Sequence, residues 1–271
     1  MINAKDIQKL CDVVYRRAGI SIGEKRFNIL KPKFETYMKK HGYANFREYF
    51  HSIRFDPTNE NMQDLMNLIT INETYFFREN YQFEVLVNDV LYEIDKIRPS
   101  NKPLRILCAP SSTGEEPYSI ALHLLQEGSL VEKRDFEIVG MDIDSTVIQK
   151  AKAGKFSKRS VEFLPPALRN EYFTQNGMFY DIADFLKDVV EFKVSNVMDK
   201  QDMRSLGKFD VIFSRNMLIY FDDASRREVA TTFHSMLNPG GFVFLGHAES
   251  MNRIVSTFKT KKYDQTIVYQ K

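Results

Sequence analysis

Through the first 95 residues, apolar side chains recur at helical spacing. Ile7-Leu10-Val14, Phe34-Tyr37-Met38, Phe46-Tyr49-Phe50-Ile53 and Met62-Leu65-Met66-Ile69 each lay an apolar stripe along one side of a helix. Turn signals at Gly19, Gly42 and Asp56-Pro57 separate these helices. A further helical pattern runs from Phe83-Val85-Leu86 to Ile97 and ends in the connector Arg98-Pro-Ser-Asn-Lys-Pro103. The pattern predicts an N-terminal all-helical domain over 1–80 and a helical linker over 81–103. From Leu104 the rhythm changes to strand 104–109, helix 115–127, strand 136–141, helix 145–153, strand 209–214, helix 223–237 and strand 242–246. Alternation of this kind builds an α/β domain around a doubly wound parallel sheet, here over 104–271. The β-branched and aromatic run Thr266-Ile-Val-Tyr269 is placed to add an antiparallel edge. Residues 155–195 interrupt the alternation with Pro165-Pro166, Gly177 and Met178-Phe-Tyr180, which predicts a small antiparallel β-subdomain inserted at about 155–192.

Composition narrows the class. The 271 residues, 43% apolar and 13% aromatic, are ample for a packed core. The net charge of +2 hides an asymmetry, because residues 1–50 carry eleven Lys or Arg against five acids, while residues 51–103 carry five against nine. A basic N-terminal surface fits an acidic partner. The opening Met-Ile-Asn-Ala-Lys-Asp lacks a signal-peptide layout and no long apolar run follows, so a cytoplasmic chain without membrane insertion is expected. Cys11 and Cys108 read as reduced structural thiols, and five scattered histidines show no ligand spacing, so no metal is expected.

The chemistry concentrates at predicted strand ends. Leu104-Arg-Ile-Leu-Cys-Ala-Pro-Ser-Ser-Thr-Gly-Glu-Glu-Pro-Tyr-Ser-Ile-Ala121 reads as buried strand, tight turn and helix start. It lacks the Gly-Lys-Ser/Thr of a phosphate loop and the Gly-x-Gly-x-x-Gly of dinucleotide folds. Glu115 and Glu116 stand where a pyrophosphate would dock and would repel it, which points to a cationic or hydroxyl-rich ligand. Ordinary helix N-terminal acids are the plain alternative. The second strand ends at Asp142, placed to accept hydrogen bonds from ribose hydroxyls, with Asp144 suited to cap the next helix. Together these features favour an adenosine-containing ligand, and S-adenosylmethionine fits best because its sulfonium is positive and it has no phosphates. Asn196-Val197 and Ser214-Arg215, with Tyr220 just beyond, end two later strands facing the same crevice. In Ile71-Asn-Glu-Thr-Tyr-Phe-Phe-Arg78-Glu79, spacing alone leaves Arg78 either a site group or a partner of Glu79 or Glu84.

Four segments, Asn72-Glu-Thr-Tyr-Phe-Phe-Arg78, Ser112-Thr-Gly-Glu-Glu-Pro-Tyr-Ser-Ile-Ala121, Asp142-Ile-Asp144 and Arg215-Asn-Met-Leu-Ile-Tyr-Phe221, resemble in that order the chemotaxis receptor methyltransferase family (CheR type). That family transfers methyl from S-adenosylmethionine to glutamate side chains of receptors, leaving S-adenosylhomocysteine. The resemblance spans nearly the whole chain. It implies a Rossmann-like methyltransferase sheet behind the helical domain, with cofactor contacts from Asn72, Thr74, Arg78, Glu116, Asp142, Asn196, Val197, Ser214 and Arg215. It places Arg78 and Tyr220 nearest the transferred methyl. Glu115 and Glu116 both qualify for the key acidic contact, and Glu116 is favoured. The implied partners are cytoplasmic helical domains of membrane chemoreceptors, met by the basic segment Lys25-Arg26, Lys31, Lys33, Lys39-Lys40. The loop Thr174-Gln-Asn-Gly-Met-Phe-Tyr180 is shorter than in members that grip a receptor C-terminal peptide, so recognition independent of that tether is expected, by a monomer. The strand end Asn216-Met-Leu-Ile-Tyr220 departs from the Asn-Pro-Pro-Tyr of base methyltransferases, which counts against nucleic acid. Methyl transfer to another substrate, or a signalling module that binds the cofactor without turnover, are the competing readings.

Overall fold

The computed structural model describes residues 2–99, 101–126 and 132–271, so Ser100 in the connector and the predicted helix end at Glu127 lie outside the described residues. Helix α1 (Ala4–Ala18) opens on a capping box, in which Asn3 and Asp6 each bond the other's backbone N–H, and closes at Gly19 with φ 68°. It packs Leu10 and Val14 against Leu30, Phe34 and Met38 of α2 (Phe27–Lys40), Tyr49 and Ile53 of α3 (Phe46–Phe55), and Leu65 and Ile69 of α4 (Glu60–Ile69). This cluster is the separate core of the helical part. Next come α5 (Tyr81–Val85), a π-turn (Leu86–Val90) and α6 (Leu91–Asp95), which end two residues before the expected Ile97. Their Phe83, Leu86, Val90 and Leu91 join the core of the sheet rather than that of the helices before them.

The remaining elements are β1 (Leu104–Cys108), α7 (Glu115–Gln126), β2 (Phe136–Asp142), α8 (Ser145–Ala153), β3 (Lys155–Ser157), α9 (Pro166–Tyr172), β4 (Phe173–Asn176), β5 (Phe179–Ile182), α10 (Asp184–Val189), β6 (Val190–Val194), α11 (Lys200–Ser205), β7 (Phe209–Ser214), α12 (Asp223–Met236), β8 (Leu237–Leu245), β9 (Lys259–Tyr263) and β10 (Thr266–Gln270). Seven strands form one sheet in the order β6-β2-β1-β7-β8-β10-β9. The first five run parallel, and β10 and β9 close the edge antiparallel, as the alternation and the C-terminal run predict. Every residue of β7 is buried, the mark of a central parallel strand covered on both faces. Alternate residues feed two cores, Ile106 and Phe213 on one face and Leu107 and Ile212 on the other.

The expected excursion is present as a three-stranded antiparallel sheet, β3-β5-β4. The chain rejoins the large sheet at Val190, where β6 pairs with β2 from Ile138↔Val190 to Asp142↔Val194. Strand β8 starts at Leu237, five residues before the expected 242, because Leu237 pairs with Phe209 across a register shift. Gly241 permits that shift, since a Cβ there would stand 2.8 Å from the Asp210 carbonyl oxygen.

Candidate active site

In the sheet order, β1 has β2 and β6 on one side and β7 and β8 on the other, so the chain switches direction of travel at β1. Ligand crevices in open α/β sheets form at this point, beyond the carboxyl ends of the strands. The turn leaving β1 passes Gly114 at φ 97°, where a Cβ would stand 3.0 Å from the Ala151 Cβ and 3.1 Å from the Phe192 ring. Glycine lets the turn lie against α8 and β6 and brings Glu115 and Glu116 into the first turn of α7.

These two acids part company. Glu115 accepts from Thr113 Oγ1 at 2.6 Å and from Ser160 Oγ, so it is committed to the inserted subdomain. Glu116 lines the cleft. Its Oε2 lies 3.1 Å from Arg215 Nη1, and its buried Oε1 has no hydrogen-bond partner among the described residues. Burial raises the Glu116 carboxyl, and the Arg215 guanidinium pulls it back.

At the end of β2, Asp142 accepts from the backbone N–H of Ser112 at 2.9 Å and of Asp144 at 3.0 Å. Burial outweighs these bonds and raises its carboxyl to about 6. Asp144 caps α8 through the N–H groups of Thr146 and Val147. Its second oxygen accepts from Thr70 Oγ1 at 2.6 Å and Asn72 Nδ2 at 2.8 Å. Burial opposes its charge too, but here the bonds from Thr146, Thr70 and Asn72 prevail and lower its carboxyl.

From the helical side the cleft receives Asn72, Thr74 and Arg78, and from the sheet Glu116, Asp142, Asn196, Val197, Arg215 and Tyr220. Two of these point their polar groups elsewhere. The Asn72 amide is held by Asp144, and the Asn196 side chain donates to the Arg17 carbonyl at 2.7 Å while accepting from the Met198 N–H at 3.0 Å. Ser214, also predicted, is fully buried beneath the cleft wall.

Arg215 is 5% exposed and bridges the two halves: it pairs with Glu116, stands 3.7 Å from Glu79 and donates to the Arg78 carbonyl. Glu79 thus belongs to Arg215, and Glu84 accepts from Asn80. Arg78 instead donates to the Glu73 carbonyl at 3.1 Å, with its guanidinium 5.9 Å from the Tyr75 ring centre. Its neighbours Phe77 and Glu79 both have positive φ, 61° and 53°. Such backbone is unfavourable for residues with a Cβ and gathers at functional turns. Tyr220 lies in the 3-10 turn Leu218–Tyr220 that follows β7.

The sequence reading placed Arg26 on the basic docking segment, but the fold turns it inward. It lines the cleft, donates to the Ile69 carbonyl at 2.9 Å and sets its guanidinium 5.9 Å from the Tyr220 ring centre. It belongs to a strap, residues 18–26, that covers the cleft through Ala18 and Ile20. The strap is fastened by the Ile20↔Phe221 bridge and by the Ser21 N–H donating to the Tyr220 carbonyl at 2.8 Å. No local pattern announces such a long-range contact.

A strand-end cleft at the switch point, lined by acids, is where an open α/β sheet takes its ligand. Residues 72–267 match the family model "CheR methyltransferase, SAM binding domain", and residues 5–70 match "CheR methyltransferase, all-alpha domain". The chain is 40% identical over 272 residues to chemotaxis protein methyltransferase 2 of Vibrio cholerae, covering 100% of this chain and 94% of that one. It is 32% identical over 244 residues to a probable chemotaxis protein methyltransferase of Rhizobium etli, covering 89% and 90%. A chemotaxis protein methyltransferase of Borreliella burgdorferi is 32% identical over 255 residues, covering 92% and 89%. The chain belongs to the CheR methyltransferase family and is an S-adenosylmethionine-dependent methyltransferase of the chemotaxis type.

Proposed function

We propose that the cleft binds S-adenosylmethionine and that the chain esterifies glutamate side chains on the cytoplasmic helices of chemotaxis receptors. The observation that carries this reading is the convergence of Arg78 from the helical side with Glu116, Asp142, Arg215 and Tyr220 from the strand ends in one cleft.

The lining suits the cofactor. The ionised Asp142 carboxylate accepts from ribose hydroxyls. Glu116 and Arg215, with the buried orphan atoms Glu116 Oε1, Arg215 Nε and Ser111 Oγ, match the ammonium and carboxylate of an amino-acid tail. Val197 packs the apolar side, while Asn72, Thr74 and Asn196 frame the site and Ser214 supports it from below. When bound, the cofactor supplies an electrophilic methyl on sulfur.

The acceptor glutamate, with a reference pKa of about 4.3, is ionised at neutral pH and needs no general base. Catalysis therefore rests on placement. Arg78 and Tyr220 hold the substrate carboxylate by hydrogen bonds, with one oxygen about 3–3.5 Å from the carbon it attacks. Arg78 is half-buried and already shared with the Glu73 carbonyl and the Tyr75 ring, which keeps it from masking the nucleophile's charge. Docking falls to Lys31, Lys33, Lys39 and Lys40 of α2, which meet the acidic receptor helices. The chain acts as a monomer at the cytoplasmic face, without a receptor C-terminal tether.

Incubation with methyl-labelled S-adenosylmethionine and receptor-containing membranes should yield base-labile methyl ester. Arg78→Ala and Tyr220→Phe should each lower kcat on the order of 10²-fold, the scale of a misplaced reacting group. Cofactor binding without ester formation would overturn the proposal, and tight binding of a receptor C-terminal peptide would overturn the tether-free reading.

A further inference from the structure

Glu249 lies in the loop after β8, in Gly246-His-Ala-Glu249, off the cleft wall and outside the chemistry above. Its carboxylate accepts three backbone N–H groups: Asn216 and Gly246 on Oε2, both at 2.9 Å, and Leu218 on Oε1 at 2.7 Å. Asn216 follows the end of β7 and Leu218 is the first residue of the 3-10 turn of Tyr220, so neither strand nor helix offers their N–H groups an acceptor. Asn216 also holds φ at 58°, an unfavourable conformation for a residue with a Cβ, which persists only when its surroundings impose it. The approach is close. A Cβ on Gly246 would stand 2.8 Å from Glu249 Oε2 and 2.9 Å from the Asn216 nitrogen, so only glycine lets carboxylate and loop meet. On its far side the same loop is held by the Ser21 N–H on the Tyr220 carbonyl.

We propose that Glu249 is a positioning residue for methyl transfer: its carboxylate fixes the Asn216–Tyr220 loop and thereby aims the Tyr220 hydroxyl, without touching cofactor or substrate. This rests on the reading of Tyr220 as a group that orients the acceptor carboxylate. Charge-assisted bonds to backbone N–H are among the stronger hydrogen bonds, and three on one side chain leave its rotamer little freedom.

Glu249→Gln keeps the size but turns an amide N–H against backbone donors. It should lower kcat for receptor methylation on the order of tenfold or more while the Kd for S-adenosylhomocysteine moves less than about threefold, because it disturbs placement rather than the pocket. Amide hydrogen exchange at Asn216 and Leu218 should accelerate. Gly246→Ala, which pushes on the same carboxylate, should move both readouts in the same direction and serves if Glu249→Gln folds poorly. In the double variant with Tyr220→Phe the two losses should not multiply, since both act through one hydroxyl. Unchanged exchange and kcat, or fully multiplicative losses, would overturn the proposal. Full activity of Tyr220→Phe alone would overturn the reading of Tyr220; accelerated exchange in Glu249→Gln would then still uphold Glu249 as the anchor of the loop, and unchanged exchange would refute it.

Discussion

The Asp142 carboxyl, at about 6, titrates where few carboxyls do, because burial opposes its charge more than the Ser112 and Asp144 N–H groups support it. Above that value it is an ionised acceptor for hydroxyl donors; below it the charge is lost and the carboxyl accepts more weakly. The Kd for S-adenosylhomocysteine should therefore rise below pH 6, by at most about tenfold per pH unit, measured by calorimetric titration from pH 7.5 to 5, while Asp142→Asn should bind weakly with a flatter profile. Stability runs the other way. A folded-state pKa above the unfolded value near 3.9 means that the native protein holds this proton more tightly, so this group stabilises the unliganded protein as pH falls through that window. Glu116 and Asp142 were legible in the sequence because strand ends and helix starts are local features. The bonds of Asn72 to Asp144 and of Asn196 to Arg17 were not, since their partners lie 72 and 179 positions away. The role of Glu249 is hidden for the same reason: its three N–H donors come from two separate strand ends.

Helix α2 shows how an element outlasts an unfavourable residue. Pro32 sits inside it and removes one backbone donor, but Leu30, Phe34 and Met38 are buried and hold the helix against its neighbours. Its last turn leaves Lys39 and Lys40 exposed, beside the negative end of the helix dipole. Lys39→Glu with Lys40→Glu should lower kcat/KM for receptor methylation about tenfold at low salt and leave the cofactor Kd unchanged. Near 1 M salt, where the screening length falls to about 3 Å, the difference should shrink. Unchanged kinetics at low salt would remove α2 from receptor docking. Most helices and central strands were legible because periods of 3.6 and 2 and buried apolar runs are written locally. The start of β8 was not, because Pro239-Gly240-Gly241 looks like a turn until the register shift against β7 is seen. The strand order was equally hidden, since no single strand encodes its neighbours.

For the molecule as a whole, Asp144 is the joint. One carboxylate caps α8 in the sheet domain and receives Thr70 and Asn72 from the helical side. Gln63 donating to the Ile143 carbonyl at 2.6 Å and Asn67 bonding Ser145 strengthen the seam beside it. Asp144→Ala should cost roughly 2–3 kcal/mol, about 1 for the lost cap and the rest for unpaired partners, measured by urea unfolding. It should also weaken cofactor binding, because Asn72 at the cleft loses the carboxylate that holds its amide, while the backbone N–H that residue 144 gives to Asp142 is kept. A loss under about 0.5 kcal/mol, the range of ordinary surface changes, would show that the seam does not depend on it.

The strap over Tyr220 bears on how freely such enzymes exchange parts. Ile20 pairs with Phe221, Ser21 bonds the Tyr220 carbonyl, and Tyr15 donates to Asp222 at 2.7 Å, so the roof of the cleft is written in one domain and its floor in the other. Grafting the helical domain of a relative onto this sheet should yield a folded hybrid with impaired turnover unless positions 15–26 and 220–222 travel together, and restoring this chain's residues at both should recover the rate. Turnover in this lineage would then be inherited in blocks that straddle the two domains, and exchanging one domain alone would break them.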